Sequence, residues 1–215
     1  EILYQQKKLK SSDFISCLKK FSQHVSIEVK LKSPLYEDIY KELVSISKNG
    51  MPNLRILITI SGYRKTDCSF KNNKKINYIN INNVIEIGGN SFEGCSSLKQ
   101  VTFSDDIIET IGASSFFNCA SLKFLRIPSS VTSIGSYAFC RCSKLTDLTI
   151  SASIKSIEMS TFEKCSSLSQ VKIPDSVVSI GNRAFAECTL LSTIDIPFSV
   201  TSIGESAFTE CSSLE

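Results

Sequence analysis

Six phenylalanines recur along this chain at an almost fixed step. They are Phe92, Phe116, Phe139, Phe162, Phe185 and Phe208, first 24 residues apart and then 23. Three further columns keep the same steps: Cys95, Cys119, Cys142, Cys165, Cys188 and Cys211; Ile87, Ile111, Ile134, Ile157, Ile180 and Ile203; Leu98, Leu122, Leu145, Leu168, Leu191 and Leu214. The stretch SVTSIGSYAFCRCSKL at 130–145 returns as SVVSIGNRAFAECTLL at 176–191 and as SVTSIGESAFTECSSL at 199–214. A unit of this size cannot bury four apolar columns alone. Stacked units can, because each presents the same columns to its neighbours. The expected architecture is therefore a solenoid.

One unit shows how the chain should run. Leu125 and Ile127 are two residues apart and share one face of a short strand, which turns Phe124 and Arg126 to the other face. Pro128 ends the strand, since it has no N–H to give a ladder. Val131 and Ile134 turn inward again, and Ala138–Phe139 packs beneath. A weaker copy precedes the array, with Ile76, Ile79 and Ile81 at strand spacing and Ile87 one residue early.

The unit C-x-S-L-x-x-[VLI]-x-I-P-x-S-V-x-S-I-G-x-x-A-F-x-x-C resembles the BspA-like, or treponemal-type, leucine-rich repeat. The resemblance covers residues 84–215 and rests on the joint order of IG, AF, C, L and IP at this period. It implies a leucine-rich repeat solenoid, with parallel strands on a concave face and irregular turns on a convex face. It also implies a non-enzymatic protein binder, often on the cell surface and directed at host or matrix proteins.

On that architecture the concave face displays two rows. One holds Gln100, Phe124, Asp147, Gln170 and Thr193, the other Thr102, Arg126, Thr149, Lys172 and Asp195, with Lys99 and Lys123 at the edge. The candidate binding residues are Lys123, Phe124, Arg126, Asp147, Thr149, Gln170, Lys172 and Asp195. An exposed aromatic beside Arg is the chemistry of an interface hot spot. The bland counterpart is that single exposed apolar residues are common on any surface.

The array departs from regularity in three places. Glu158 stands in a column otherwise held by Gly88, Gly112, Gly135, Gly181 and Gly204, so that column is expected to favour glycine without requiring a positive φ. The 24-residue step places one extra residue near Asp105–Asp106, in a longer turn. The array stops at Leu214–Glu215, before its next strand, so the natural chain is expected to continue.

Nine cysteines invite a disulfide or metal reading. Six form the repeat column, where stacked side chains point the same way into the core. A ladder of buried thiols is expected there, with disulfides inside the column as the alternative. Cys140 and Cys142 make a C-x-C pair, but no second pair or histidine lies at ligand spacing. Cys140 aligns with Glu93, Phe117, Glu163, Ala186 and Thr209 and is expected to be exposed. An exposed free thiol suits a reducing compartment. The 11 asparagines include no N-x-[ST] sequon.

Residues 1–75 read as a small α/β module that caps the array at 76–215. Phe14, Cys17, Leu18 and Phe21 have helical spacing after Ser12. VSIEVKLK alternates like a strand. Ser33, Pro34 and Gly50 bound a second helix with Leu35, Ile39, Leu43 and Ile46 on one face. NLRILITI reads as a buried strand. Asn/Lys-rich KNNKKINYININN joins the two parts. The net charge of +3 divides unevenly: residues 1–83 carry 15 Lys and Arg against 7 Asp and Glu, and 84–215 carry 9 against 14.

Catalysis has nothing to use. The single histidine is His24, and there is no GxxxxGK, GxGxxG, HExxH or EF-hand loop. No cofactor and no small-molecule substrate are expected. No apolar run approaches the ~18–20 residues that span a membrane, and no signal peptide begins the chain. Nucleic acid is disfavoured because no aromatics interleave the lysines of the basic segment. The expected partner is a protein. Two settings compete: a cell-surface binder, which the resemblance implies, and an intracellular scaffold or structural subunit, which Cys140, the missing sequons and the basic N-terminal module favour.

Overall fold

The structure is a computed structural model and describes residues 26–31, 55–66, 70–104 and 106–215. Among the described residues there are thirteen strands, all paired in parallel. Strand β1 is Ser26–Leu31, β2 is Arg55–Thr66 and β3 is Ile76–Ile87. Five strand pairs follow: β4 (Gln100–Phe103) and β5 (Thr110–Ile111), β6 (Phe124–Ile127) and β7 (Ser133–Ile134), β8 (Asp147–Ile150) and β9 (Ser156–Ile157), β10 (Gln170–Lys172) and β11 (Ser179–Ile180), β12 (Thr193–Asp195) and β13 (Ser202–Ile203). Among the described residues there is no helix. The chain forms a leucine-rich repeat solenoid in which each pair belongs to one coil.

The four apolar columns form one continuous core, buried in every coil but the last, where Ile203, Phe208 and Leu214 are in part exposed. The phenylalanines stack on one another with ring centroids 5.1 to 5.7 Å apart and planes within 14°. Offset stacks of this spacing add to the area that the rings bury. The ladder begins one step earlier than the repeat suggests, at Phe70, whose ring lies 5.2 Å from Phe92. Ile76, Ile79, Ile81 and Ile87 are buried, so the weak copy is a coil of the stack. It opens with an Asx turn, in which Lys75 N and Ile76 N both donate to Asn73 Oδ1.

Strand β3 is long enough to pair with both β4 and β5. On its other side it pairs with β2, which pairs with β1, so these two strands belong to the same sheet as the repeats. The strands expected at VSIEVKLK and NLRILITI are thus present. The helices expected around Phe14–Phe21 and between Ser33 and Gly50 lie outside the described residues.

The convex turns carry an unbroken ladder. Ser114, Phe116 and Asn118 donate N–H to the oxygens of Ser136, Ala138 and Cys140 in the next coil, and Tyr137, Phe139 and Arg141 repeat the pattern onto Met159, Thr161 and Glu163. Two residues per coil hold positive φ to aim these bonds, including Ser114 at 53° and Asn118 at 58°, then Tyr137 at 60° and Arg141 at 62°. For side chains other than Gly or Asn this costs about 1–2 kcal/mol each. The inter-coil bonds offset it.

The glycine column takes no positive φ, as the sequence suggested; its cause is close approach. A Cβ on Gly112 would sit 2.6 Å from Gly89 N, and one on Gly181 2.7 Å from Met159 N, both main-chain atoms of the preceding coil. Gly112, Gly135, Gly181 and Gly204 each donate N–H to the isoleucine oxygen one coil back. Where Glu158 replaces glycine the short-strand ladder breaks. Strand β5 pairs with β3 on one side and β7 on the other, strands β9, β11 and β13 form a separate sheet, and β7 does not pair with β9. The main ladder breaks one junction later, between β8 and β10. In that coil Ser151 stands where the coils of β6, β10 and β12 have Pro128, Pro174 and Pro197. Lacking the proline stop, the chain runs on, and Ser151 N and Ser153 N donate to Ile127 O and Val131 O.

Candidate protein-binding face

Parallel pairing without a slip turns period-2 alternation into rows across the sheet. Phe124 pairs with Gln100 on one side and Asp147 on the other, and Arg126 pairs with Thr149. Gln170 pairs with Thr193, and Lys172 with Asp195. All eight candidate residues are exposed: Lys123, Phe124, Arg126, Asp147, Thr149, Gln170, Lys172 and Asp195. Leu125 and Ile127, between them in sequence, are buried. The structure brings Phe124, Arg126, Asp147 and Thr149 together on β6 and β8, with Lys123 one residue ahead of β6. Gln170, Lys172 and Asp195 lie past the break in the main ladder, on the β10–β12 sheet.

Phe124 is 51 % exposed, and its strand has no freedom to withdraw it, because the alternate residues are locked in the core. The row extends further than the repeats indicate. Tyr78 on β3 pairs with Gln100, which places a second aromatic two strands from Phe124. The signal was present in the weak copy, where Tyr78 precedes Ile79 as Phe124 precedes Leu125. The next row is partly self-satisfied, since Thr102 Oγ1 (3.2 Å) and Ser104 Oγ both meet Asn80 Oδ1.

Cys140 corrects an expectation. Its column was read as exposed, yet Cys140 is 3 % exposed and Ala186 in the same column is buried. Its neighbours in the column are longer, Phe117 one coil before and Glu163 one coil after, and Arg141 lies over the Phe117 ring at 5.7 Å. A short side chain there is overshadowed. Burial, with the Glu163 charge next, pushes the Cys140 thiol up to about 12. All seven cysteines among the described residues are free and buried, in line with a thiol ladder.

The convex face also carries a small ionic network. Arg183 reaches Glu163 at 2.8 Å and Glu187 at 3.1 Å, and Lys164 reaches Glu187 at 3.1 Å. Burial pushes the Glu163 carboxyl up, but hydrogen bonds from Arg183 and Ser160 and the Arg183 charge outweigh it and hold it below the usual range. Exposed pairs of this kind contribute little, about 0–1 kcal/mol. Among the described residues no group of three or more His, Cys, Asp or Glu is placed to hold a metal ion. Among the described residues no helix is long and apolar enough to cross a membrane.

A parallel-strand solenoid with a locked apolar inside and a patterned polar face defines a leucine-rich repeat protein. A family profile described as "BspA type Leucine rich repeat region" matches residues 38–146 and 85–215, in six copies, and the chain belongs to that family. Among solved structures, a leucine-rich repeat protein from Bacteroides ovatus is 31 % identical with a TM-score of 0.64; the match covers 72 % of this chain and 40 % of that one. The leucine-rich repeat protein of T. pallidum shares the fold at 20 % identity, with a TM-score of 0.65, over 87 % of this chain and 83 % of its own. A search of the curated proteins finds no match. Repeats of this family are generally protein-interaction modules.

Proposed function

We propose that this chain binds a protein partner through its concave strand face, without catalysis, and that it does so at the cell surface on a host or matrix protein. The observation that carries the reading is Phe124, half exposed beside Lys123 and Arg126 on a strand whose alternate residues are immobilised. A rigid display leaves little side-chain ordering to be lost on binding, and buried aromatic and Arg anchors dominate interface energies. The cell-surface setting rests on the family. The competing intracellular scaffold rested on an exposed Cys140, the missing sequons and the basic N-terminal module, and burial of the thiol takes away the first of these three.

The test is affinity capture with the parent chain and an equally folded Phe124→Ala/Arg126→Glu/Lys172→Glu variant. Each is exposed separately to extracellular matrix protein and to lysate of the source cell. Matrix proteins held by the parent and released by the variant are expected. Intracellular proteins held equally by both would overturn the concave-face reading.

A further inference from the structure

We infer that the segment held on this face is an acidic stretch of polypeptide carrying an apolar or aromatic side chain; the inference rests on the concave-face reading. The charge on the face is uneven. On the first two repeat coils Lys99, Lys123 and Arg126 are exposed, and none makes an ion pair with a described residue. Lys99 and Lys123 occupy equivalent positions on neighbouring coils, joined by Lys123 N donating to Lys99 O at 3.1 Å. That places their Cα atoms about 4.8 Å apart. Like charges directly opposite destabilise a sheet, and an anionic partner relieves the repulsion.

The acidic side chain nearest in register is Asp147, across from Phe124 on β8 and two coils from Lys99. Further along, Lys172 and Asp195 sit opposite each other and their charges offset. Positive potential therefore concentrates where the aromatics are. Tyr78 and Phe124 flank Gln100 in one row, roughly 10 Å apart at two strand spacings. An extended segment crossing these strands meets two aromatic surfaces and three cations. Arg126 accepts a carboxylate in bidentate geometry. A neutral glycan is a poorer match, because the polar row beside it is engaged: Asn80 Oδ1 already accepts from Thr102 and Ser104.

A phage-displayed library of random dodecapeptides, selected on the whole chain, tests this. Enriched sequences are remade as synthetic peptides and titrated by fluorescence anisotropy. Peptides that combine Asp or Glu with Phe, Tyr, Trp or Leu are expected. Their Kd should rise about tenfold or more in Phe124→Ala and in Lys99→Glu/Lys123→Glu. The rise should be smaller in Lys99→Gln/Lys123→Gln and slight in Lys172→Glu, and added salt should weaken binding. Neutral or basic peptides that still depend on Phe124 would overturn the acidic partner while leaving the binding face in place. Peptides indifferent to every concave substitution would overturn both. Heparin binding with no enriched peptide would replace the polypeptide by a polyanionic glycan.

Discussion

The thiol of Cys142 donates to the main-chain oxygen of Phe116, one coil back, across 3.4 Å. The same contact joins Cys95 to Phe70, Cys119 to Phe92, Cys165 to Phe139, Cys188 to Phe162 and Cys211 to Phe185, at 3.1 to 3.4 Å. Each of the repeat phenylalanine oxygens already accepts the N–H of the cysteine in its own coil, as Phe116 O does from Cys119 N at 3.2 Å. The column thus serves as core and as a weak tie between coils. Cys142→Ala removes a weak bond and leaves a small void, and should lower stability by roughly 1–2 kcal/mol. Cys140→Ala lies outside the column and should cost less. Urea midpoints for the two variants check the order.

Buried thiols also set the alkaline limit of the fold. Burial pushes Cys95, Cys140 and Cys188 from 9.0 to about 12, and Cys119, Cys142 and Cys165 are pushed well up for the same reason. The folded chain then keeps protons that the unfolded chain has lost. Stability from these groups is complete below 9.0 and declines as pH rises from there towards about 12. Urea midpoints followed upward from neutral pH should stay level and then fall. A midpoint still level well above 9.0 would show that the thiols are ionised or accessible in the folded state.

The phenylalanine stack predicts a strong dependence on position. Phe139 lies between Phe116 at 5.4 Å and Phe162 at 5.7 Å and is fully buried. Phe208 touches one neighbouring ring of the stack, Phe185 at 5.6 Å, and is only partly buried. Phe139→Ala should cost about 3–5 kcal/mol, Phe208→Ala roughly 1–2 kcal/mol. Equal losses in thermal or urea unfolding would mean that the chain does not unfold from a graded stack.

The glycine column gives a pair of opposite substitutions. A Cβ on Gly135 would lie 2.7 Å from Ala113 Cα, so Gly135→Ala should cost about 1–3 kcal/mol as overpacking. Glu158→Gly should let β7 and β9 close and give residue 158 its missing N–H bond to Ile134 O. The new bond is worth ~1 kcal/mol and the added chain entropy costs about as much, so net stability should barely move. Hydrogen exchange is the sharper readout. The amide of residue 158 should gain protection in Glu158→Gly, and no gain would mean that the gap has another cause.

Much of this was readable from periods. The 23-residue step defined the coils, and the two-residue alternation around Leu125 and Ile127 assigned Phe124 and Arg126 to the outer face. Asparagine, lysine and a shortened step masked the first coil, so Phe70 and the row position of Tyr78 emerged only with the fold. Cys140 was misread because alignment within a column says which way a side chain points and not how tall its neighbours are. Phe117 and Glu163 decide that, and they lie one coil away on either side.

By itself the sequence determined the unit, its stacking and the face each residue takes, because those follow from periodicity and from the need to bury four apolar columns. Tertiary structure alone decided the contacts between coils. The thiol-to-carbonyl ties, the two ladder breaks and the joining of β1 and β2 to the repeat sheet depend on distances between atoms a whole coil apart, which no spacing along the chain encodes.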